Sequence, residues 1–306
     1  MQVRHTSFYQ LLALLVTMMW GLNYVSSKVL FLQGAGPMGV LAVKIAIAWA
    51  VLALIAPKWI FADSPNHELM FALLGLTYVP LYQGLETLAI YHGQVSDIAS
   101  VMACSPLMVA VIAVLGLKNA KVHWTMWLGI IIALTGVCLI LIDTGLINGL
   151  SIMGIFLALG AGLGWALHSM FLKSFAGYPP SFIMRKAMGY GLLMILPFAF
   201  YENSLTLSML EEPVVVGNFL FLAIGVMVIA SVLWMRVTHE LGNQAVEGWL
   251  YLVPLIAMTT GVFVLDNEVT FIGVMGLIMI LCGVWAGQYG AKRISAAFAA
   301  IDAVPS

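Results

Sequence analysis

Residues 18–30, MMWGLNYVSSKVL, form an apolar stretch that nonetheless carries Asn23, Ser26, Ser27 and Lys28. A related frame, GWALHSMFLK, returns at residues 164–173. Trp165 and Lys173 keep the spacing of Trp20 and Lys28, and His168 stands where Asn23 stood. A polar frame set twice among hydrocarbon side chains points to a duplicated chain.

The chain has 306 residues, 63% of them apolar and only 8% charged, with a mean hydropathy of +1.07. Soluble domains carry about 25% charged residues, so this chain must be dissolved in lipid. A net charge of −1, with no basic cluster, excludes a polybasic nucleic-acid binder. Apolar runs of spanning length, about 20 residues, fall at approximately 8–32, 37–56, 69–91, 95–115, 124–143, 151–172, 180–200, 214–235, 244–265 and 271–290. None alternates like a membrane barrel strand, and helices are the remaining way to satisfy backbone groups in hydrocarbon. The first run is too long, and its start too weakly basic, for a cleaved signal peptide. Cys104, Cys138 and Cys282 each sit alone inside a run, which suits neither a disulfide framework nor a zinc site.

With ten spans, both chain ends share one side of the membrane. Placing them inside puts Arg4, Lys58, Lys118, Lys121, Lys173, Arg236, Lys292 and Arg293 on inner loops and tails. The outer loops then hold no Lys or Arg, but carry Asp143, Glu202, Glu211, Glu212, Asp266 and Glu268. That bias predicts cytoplasmic termini.

Internal similarity extends beyond the tryptophan frame. WLGIIIALTGV ending at Val137 resembles GVMGLIMILCGV ending at Val284, and Gly129 and Gly136 map onto Gly276 and Gly283 with one offset. Pro106 maps onto Pro254 at nearly that offset, and Pro37 precedes Lys44 by the step that separates Pro179 from Lys186. Each half then has five spans, and an odd number forces the second half to enter the membrane upside down. The expected architecture is all-α: ten helices as two inverted five-helix repeats around a central cavity. Its expected parts are residues 1–147, residues 148–292 and a cytoplasmic tail at 293–306. Inverted repeats of this kind recur in secondary transporters, with the substrate site between the halves.

The Trp-Gly-x-Asn at Trp20–Asn23, the basic residue early in the second span and ASVMACSPLMVAVIAVLGL around Pro106 resemble the EamA family of the drug/metabolite transporter superfamily. The Gly-Val pairs closing spans 5 and 10 do so too. The resemblance covers essentially the whole chain as two copies. It departs from the family pattern where a glutamate often follows spans 4 and 9, since Ala120 and Asn267 occupy those places. The resemblance implies ten helices around a cavity, export of metabolites or amino acids, and no ATPase. It also implies residence in a bacterial inner membrane.

Seven ionisable residues remain in or near the spans: Lys28, Lys44, Glu86, Asp97, Arg185, Lys186 and Glu247. A charge at the bilayer centre costs about 2.5–3.5 kcal/mol even on the lenient insertion scale. Such residues face a cavity, pair up, or reach an interface. Lys28, Lys44, Glu86 and Asp97 fall in the outer half, whereas Arg185, Lys186, Glu247 and His168 fall in the inner half. Residues at i, i+3 and i+4 share a helix face, which gives the stripes Trp20–Tyr24–Lys28, Tyr78–Tyr82–Glu86 with Gln83 adjacent, Asp97–Ser100–Cys104, Asn243–Glu247–Tyr251 and Lys186–Tyr190. Spans 5 and 10 show no stripe and read as peripheral.

These placements suggest an outer ionic gate of Lys28 or Lys44 with Glu86 or Asp97. An inner gate would join Arg185 or Lys186 to Glu247 beside His168, with Pro106 and Pro254 as hinges, because proline removes a helix hydrogen bond. Solute-lining candidates are Trp20, Asn23, Tyr24, Lys44, Tyr78, Tyr82, Gln83, Trp165, His168, Tyr190 and Tyr251. Plainer readings weigh against several of these: Lys28 can snorkel to headgroups, Arg185 or Lys186 can serve as a positive anchor, and His168 can be a packing residue. GAGLG at 160–164 reads as a helix-packing face.

No G-x-x-x-x-G-K-[ST] loop and no H-E-x-x-H occur, so neither ATP, a metal nor another cofactor is expected. The sequence therefore predicts a secondary transporter, most simply an exporter of a small organic solute such as an amino acid, with the bilayer and the solute as partners. Protons are the candidate coupling ion through Glu86, Asp97 or Glu247. An importer or exchanger of a carboxylate-bearing metabolite is the alternative. An intramembrane enzyme and a lipid scramblase are the remoter classes.

Overall fold

The structure is a computed structural model that describes residues 2–55, 61–115, 124–144, 152–175, 177–242, 246 and 248–302. Among these residues nine helices are long and apolar enough to cross a membrane: Ser7–Leu32, Pro37–Ile55, Val95–Val114, Trp124–Ile142, Met153–Leu172, Pro180–Glu202, Pro213–Leu241, Gly248–Leu265 and Phe271–Gln288. The remaining run is helical throughout residues 65–92, in the pieces Pro65–Leu76, Thr77–Gly84 and Leu85–His92. His67, Glu68, Gln83, Glu86 and His92 dilute its hydropathy. The protein is thus a multi-pass, all-α membrane protein with ten spans, numbered here in chain order. Span 1 starts at what is called the terminal face, and its end lies at the distal face.

Local chemistry sets the ends of these helices. Ser64 caps span 3 by accepting the backbone N–H of His67, with Pro65 in the first turn, as N-caps do. Asn203 and Asp266 close spans 7 and 9 in the left-handed conformation at φ 45° and 51°, a region that Asn and Asp tolerate better than most residues.

The spans pair across a pseudo-two-fold axis in the membrane plane. Span 2 packs on span 7 and span 5 on span 10, each pair being one helix and its own repeat counterpart. Span 1 packs against spans 8 and 9, as span 6 packs against spans 3 and 4. The glycines of spans 5 and 10 establish the inversion. A Cβ built at Gly129 would lie 2.5 Å from the carbonyl oxygen of Gly283, and one at Gly136 would lie 2.6 Å from that of Gly276. Gly129 corresponds to Gly276 in the repeat and Gly136 to Gly283. The observed pairing is therefore the crossed one, which only antiparallel counterparts can make. As the missing polar stripe suggests, this pair is peripheral, with Trp127, Ile131, Leu134, Ile278 and Trp285 exposed on its outside.

Spans 3 and 8 share a second symmetric feature. Each passes through a π-helical stretch at mid-length, Thr77–Gly84 and Phe221–Ala230. Pro80 lies inside the first, where its missing N–H favours a widened turn. The two stretches meet at the centre, where Tyr78 Oη donates to Met227 Sδ at 3.7 Å. Span 4 breaks between Val95–Met102 and Ser105–Leu115, just before Pro106, and span 9 changes from a 3-10 turn, Gly248–Tyr251, to α-helix just before Pro254.

Gly136→Ala should destabilise the protein by about 1–3 kcal/mol, the usual cost of overpacking, because the new methyl meets the Gly276 carbonyl oxygen and the Ile280 backbone as well as its side chain. Gly217→Ala, where a Cβ has nothing within 4 Å, should leave stability unchanged or raise it. Thermal unfolding of the two variants in detergent checks the contrast.

Candidate solute-binding site

A buried polar group lies in the distal half, where spans 1, 2 and 3 meet. Lys44 is seven residues into span 2 and Glu86 six residues before the end of span 3, which puts both about 10 Å below the distal face. Lys44 is 1% exposed and Glu86 3% exposed. Tyr24 Oη donates to Glu86 Oε1 at 3.1 Å, and the Asn23 amide also bonds to this carboxylate. Lys44 Nζ reaches Thr87 Oγ1 at 3.5 Å, and that hydroxyl donates to the Gln83 carbonyl at 2.6 Å. Lys44 and Glu86 attract one another electrostatically without forming a direct ion pair among the described ones. The Asn23 Oδ1 and Gln83 Oε1 atoms are buried with no partner, so the group offers acceptors as well as opposite charges.

An aromatic wall continues this group toward the terminal face. Tyr82 lies against Trp165 with ring centroids 5.0 Å apart, and Tyr78 against His168 at 4.8 Å. The wall exists because span 6 approaches span 3 closely at Gly164, where a Cβ would sit 2.7 Å from the Leu81 carbonyl. The GAGLG face thus packs, as expected, and its packing brings Trp165 and His168 to the interior. Trp20, the counterpart of Trp165, meets Trp234 of span 8 at 4.9 Å, an inverted echo of the Trp165–Tyr82 contact.

Of the expected gate partners, Lys44 and Glu86 lie together, whereas the other charges find different partners. Lys28 joins neither Glu86 nor Asp97. Its ammonium is held by the carbonyls of Ile90, Tyr91 and Gly93 at 3.0, 3.1 and 2.9 Å, the unpaired acceptors that every helix C-terminus presents. Asp97 accepts from Thr144 at 2.7 Å and faces the end of span 5 rather than a lysine. Lys186 pairs with Glu68 at 2.7 Å. Glu247 and Asn243 lie outside the described residues, so the expected pairing with Glu247 has no described counterpart. Arg185 is buried with its guanidinium 5.4 Å from the Phe182 ring. The Tyr251 hydroxyl donates to Gln288 Oε1 of span 10 at 2.8 Å.

Two links join the repeats through the ends of span 7. Near the terminal face, Glu68 of span 3 receives Lys186, Tyr190 Oη at 2.5 Å and the Ala62 N–H at 2.7 Å. At the distal face, Glu202 accepts the N–H groups of Met38 and Gly39 at 3.2 and 2.8 Å, and Ser204 Oγ accepts that of Gly36 at 2.9 Å. A carboxylate there meets the positive end of span 2. Beside Lys186 a groove of 570 Å³ runs between spans 2 and 7, lined by Trp49, Ala53, Arg185, Lys186, Gly189 and Tyr190. Hydropathy reading misses Glu68 and Glu202 because they fall just beyond the apolar runs and pass for loop charges. The Ser64-Pro65 start three residues before Glu68 is the available signal that it belongs to a helix.

Ten spans in inverted repeats, with charges and aromatics turned to the interior, define a carrier-type membrane protein. A profile of the EamA-like transporter family matches residues 7–142 and again 152–286. The chain belongs to that family and is a transporter. It is 23% identical to the "Uncharacterized transporter YvbV" of Bacillus subtilis (strain 168) over 98% of both chains. It is also 23% identical to a "Probable amino-acid metabolite efflux pump" of Escherichia coli (strain K12), over 92% of this chain and 95% of the relative. A solved structure titled only "Crystal structure of protein" superposes with a TM-score of 0.59 at 17% identity, over 94% of this chain and 99% of that one.

The Glu68–Lys186 contact yields a direct check. A double-mutant cycle of Glu68→Gln and Lys186→Met should return a coupling energy of about 1–2 kcal/mol in thermal unfolding, within the range for contacting residues and reduced by their partial exposure. Pairing Glu68→Gln with Lys28→Met, which shares no partner with it, should return additive effects.

Proposed function

We propose that this protein is a secondary exporter of a small amphipathic solute, an amino acid or close relative, working by alternating access between the repeats 1–147 and 148–292. The observation that carries the reading is the pair Lys44 and Glu86. Both are buried together and neither is satisfied by a direct bond to the other. Opposite charges held slightly apart, with free acceptors beside them, complement a solute bearing both an ammonium and a carboxylate. The wall of Tyr78, Tyr82, Trp165 and His168 would take the solute's apolar part. The name of the Escherichia coli relative, a probable amino-acid metabolite efflux pump, agrees with a solute of this class.

The positive-inside bias supports a bacterial inner membrane with both termini, and a tail at 293–306, in the cytoplasm. The terminal face is then cytoplasmic, Glu68–Lys186–Tyr190 becomes the inner latch, and Glu202 on the start of span 2 becomes the outer one. The breaks before Pro106 and Pro254 supply bending points for the rocking. A buried carboxyl such as Glu86 is the candidate carrier of a coupling proton. Import or exchange of a carboxylate-bearing metabolite uses the same site in the opposite direction.

In proteoliposomes, wild-type protein should show saturable, stereoselective counterflow of an amino acid. Lys44→Met and Glu86→Gln should each lower it tenfold or more without loss of folded protein. Counterflow untouched by both substitutions, or no saturable counterflow across an amino-acid panel, rejects the reading. A rate indifferent to an imposed pH gradient removes the proton from it.

A further inference from the structure

The distal ends of spans 4, 5 and 10 converge on a group of oxygens that the solute site does not use. Asp97 lies in the first turn of span 4, Asp143 and Thr144 end span 5, and Thr270 precedes span 10. Thr144 Oγ1 donates to Asp97 Oδ2 at 2.7 Å, and Thr270 Oγ1 donates to Asp143 Oδ2 at 2.6 Å while accepting the Gly273 N–H at 2.9 Å. Asp97 is 6% exposed and Asp143 2% exposed, and the two carboxylates are close enough to repel one another. A threonine hydroxyl has one proton to donate, and here both are already committed. Asp143 Oδ1 is left buried with no donor.

The neighbouring ionisable side chains among the described residues are held elsewhere. Lys28 is held by the carbonyls of Ile90, Tyr91 and Gly93, Glu86 by Tyr24, and His92 rests against Tyr91. No described ion pair reaches Asp97 or Asp143. Two buried carboxylates without a base are costly unless a proton or a metal cation joins them.

We propose that Asp97, Asp143, Thr144 and Thr270 form a binding site for a small hard cation, of the alkali or alkaline-earth class, at the distal seam between the repeats. The donor set is oxygen only and anionic, which suits hard cations and disfavours soft transition metals. Span 5 belongs to the first repeat and span 10 to the second, so a bound ion ties the two together. The inversion-related positions carry Gln244, Gly290 and Ala291, with no carboxylate, so the ion acts on one face only.

The test is thermal unfolding of the purified full-length protein in detergent, at neutral pH and constant ionic strength, with choline replaced by sodium, magnesium or calcium. A ligand of the native state raises the midpoint in step with the logarithm of its concentration. At least one of the three ions should do so where choline does not, and Asp143→Asn and Thr270→Val should abolish that increment. An equal response to every cation, an increment that survives in Asp143→Asn, or a response to pH alone overturns the site. Should Asp143→Asn fail to fold, binding of radioactive sodium or calcium to the wild-type protein decides, and absence of displaceable binding overturns it. No solute is present, so this result stands apart from that of the transport assay.

Discussion

The crossed glycine contact between spans 5 and 10 is the constraint that the remaining geometry obeys. Backbones approach this closely only where no Cβ intervenes, and in lipid such approach is a main source of helix association. Once Gly129 meets Gly283 and Gly136 meets Gly276, the two spans run antiparallel and their repeats are related by a two-fold axis in the membrane plane. The main span-to-span packings between the repeats then come in pairs. Span 1 must cross to the opposite repeat, as span 6 does, and span 2 must face span 7. The polar residues of spans 1, 2 and 3 then gather on one side of the axis. The aromatic side chains of span 6 close the space beneath them.

Much of this was legible from residues alone, and the reason is physical. Hydrocarbon permits few arrangements of backbone, so ten apolar runs mean ten helices. The offset that carries Gly129 onto Gly276 is a statement about packing, because small residues recur where helices touch. Lys44 and Glu86 were legible for a related reason: a charge deep within a span is costly unless it faces the interior. Partner choice was not legible. Lys28 shares a helix face with Tyr24, yet its ammonium takes carbonyls at the end of span 3, since a helix terminus is itself an electrostatic partner. Glu68 and Glu202 were hidden because hydropathy measures composition along one helix, whereas their partners come from a neighbouring span.

The π-helical stretches show where sequence and symmetry part company. Pro80 rationalises the first, but the second, Phe221–Ala230, contains no proline. Its widened turn therefore answers to packing: the stretch lies against spans 1 and 2 and touches the first stretch through Tyr78 and Met227. A π turn leaves backbone groups less regularly paired than an α turn and so is easier to rewind. Placing both at the pseudo-symmetric centre, next to the aromatic wall, concentrates compliance where the two repeats must move past one another in the proposed cycle. The α-helical halves on either side can stay rigid.

The latches at the ends of span 7 bear on how such a cycle is balanced. Hydrogen bonds to charged groups contribute about 1.5–3 kcal/mol each, and both latches are built from one carboxylate with two or three donors. They use different chemistry: an ammonium and a phenol serve Glu68, whereas helix N–H groups serve Glu202. They are nevertheless of the same order in energy. Moving a two-state equilibrium from 1:99 to 99:1 takes about 5.5 kcal/mol of differential binding, a quantity within reach of one solute bridging Lys44 and Glu86. A latch much stronger than the other would leave the carrier fixed in one state whatever the solute did. Comparable carboxylate latches at opposite ends of one helix keep the proposed equilibrium within the range that binding energy can shift.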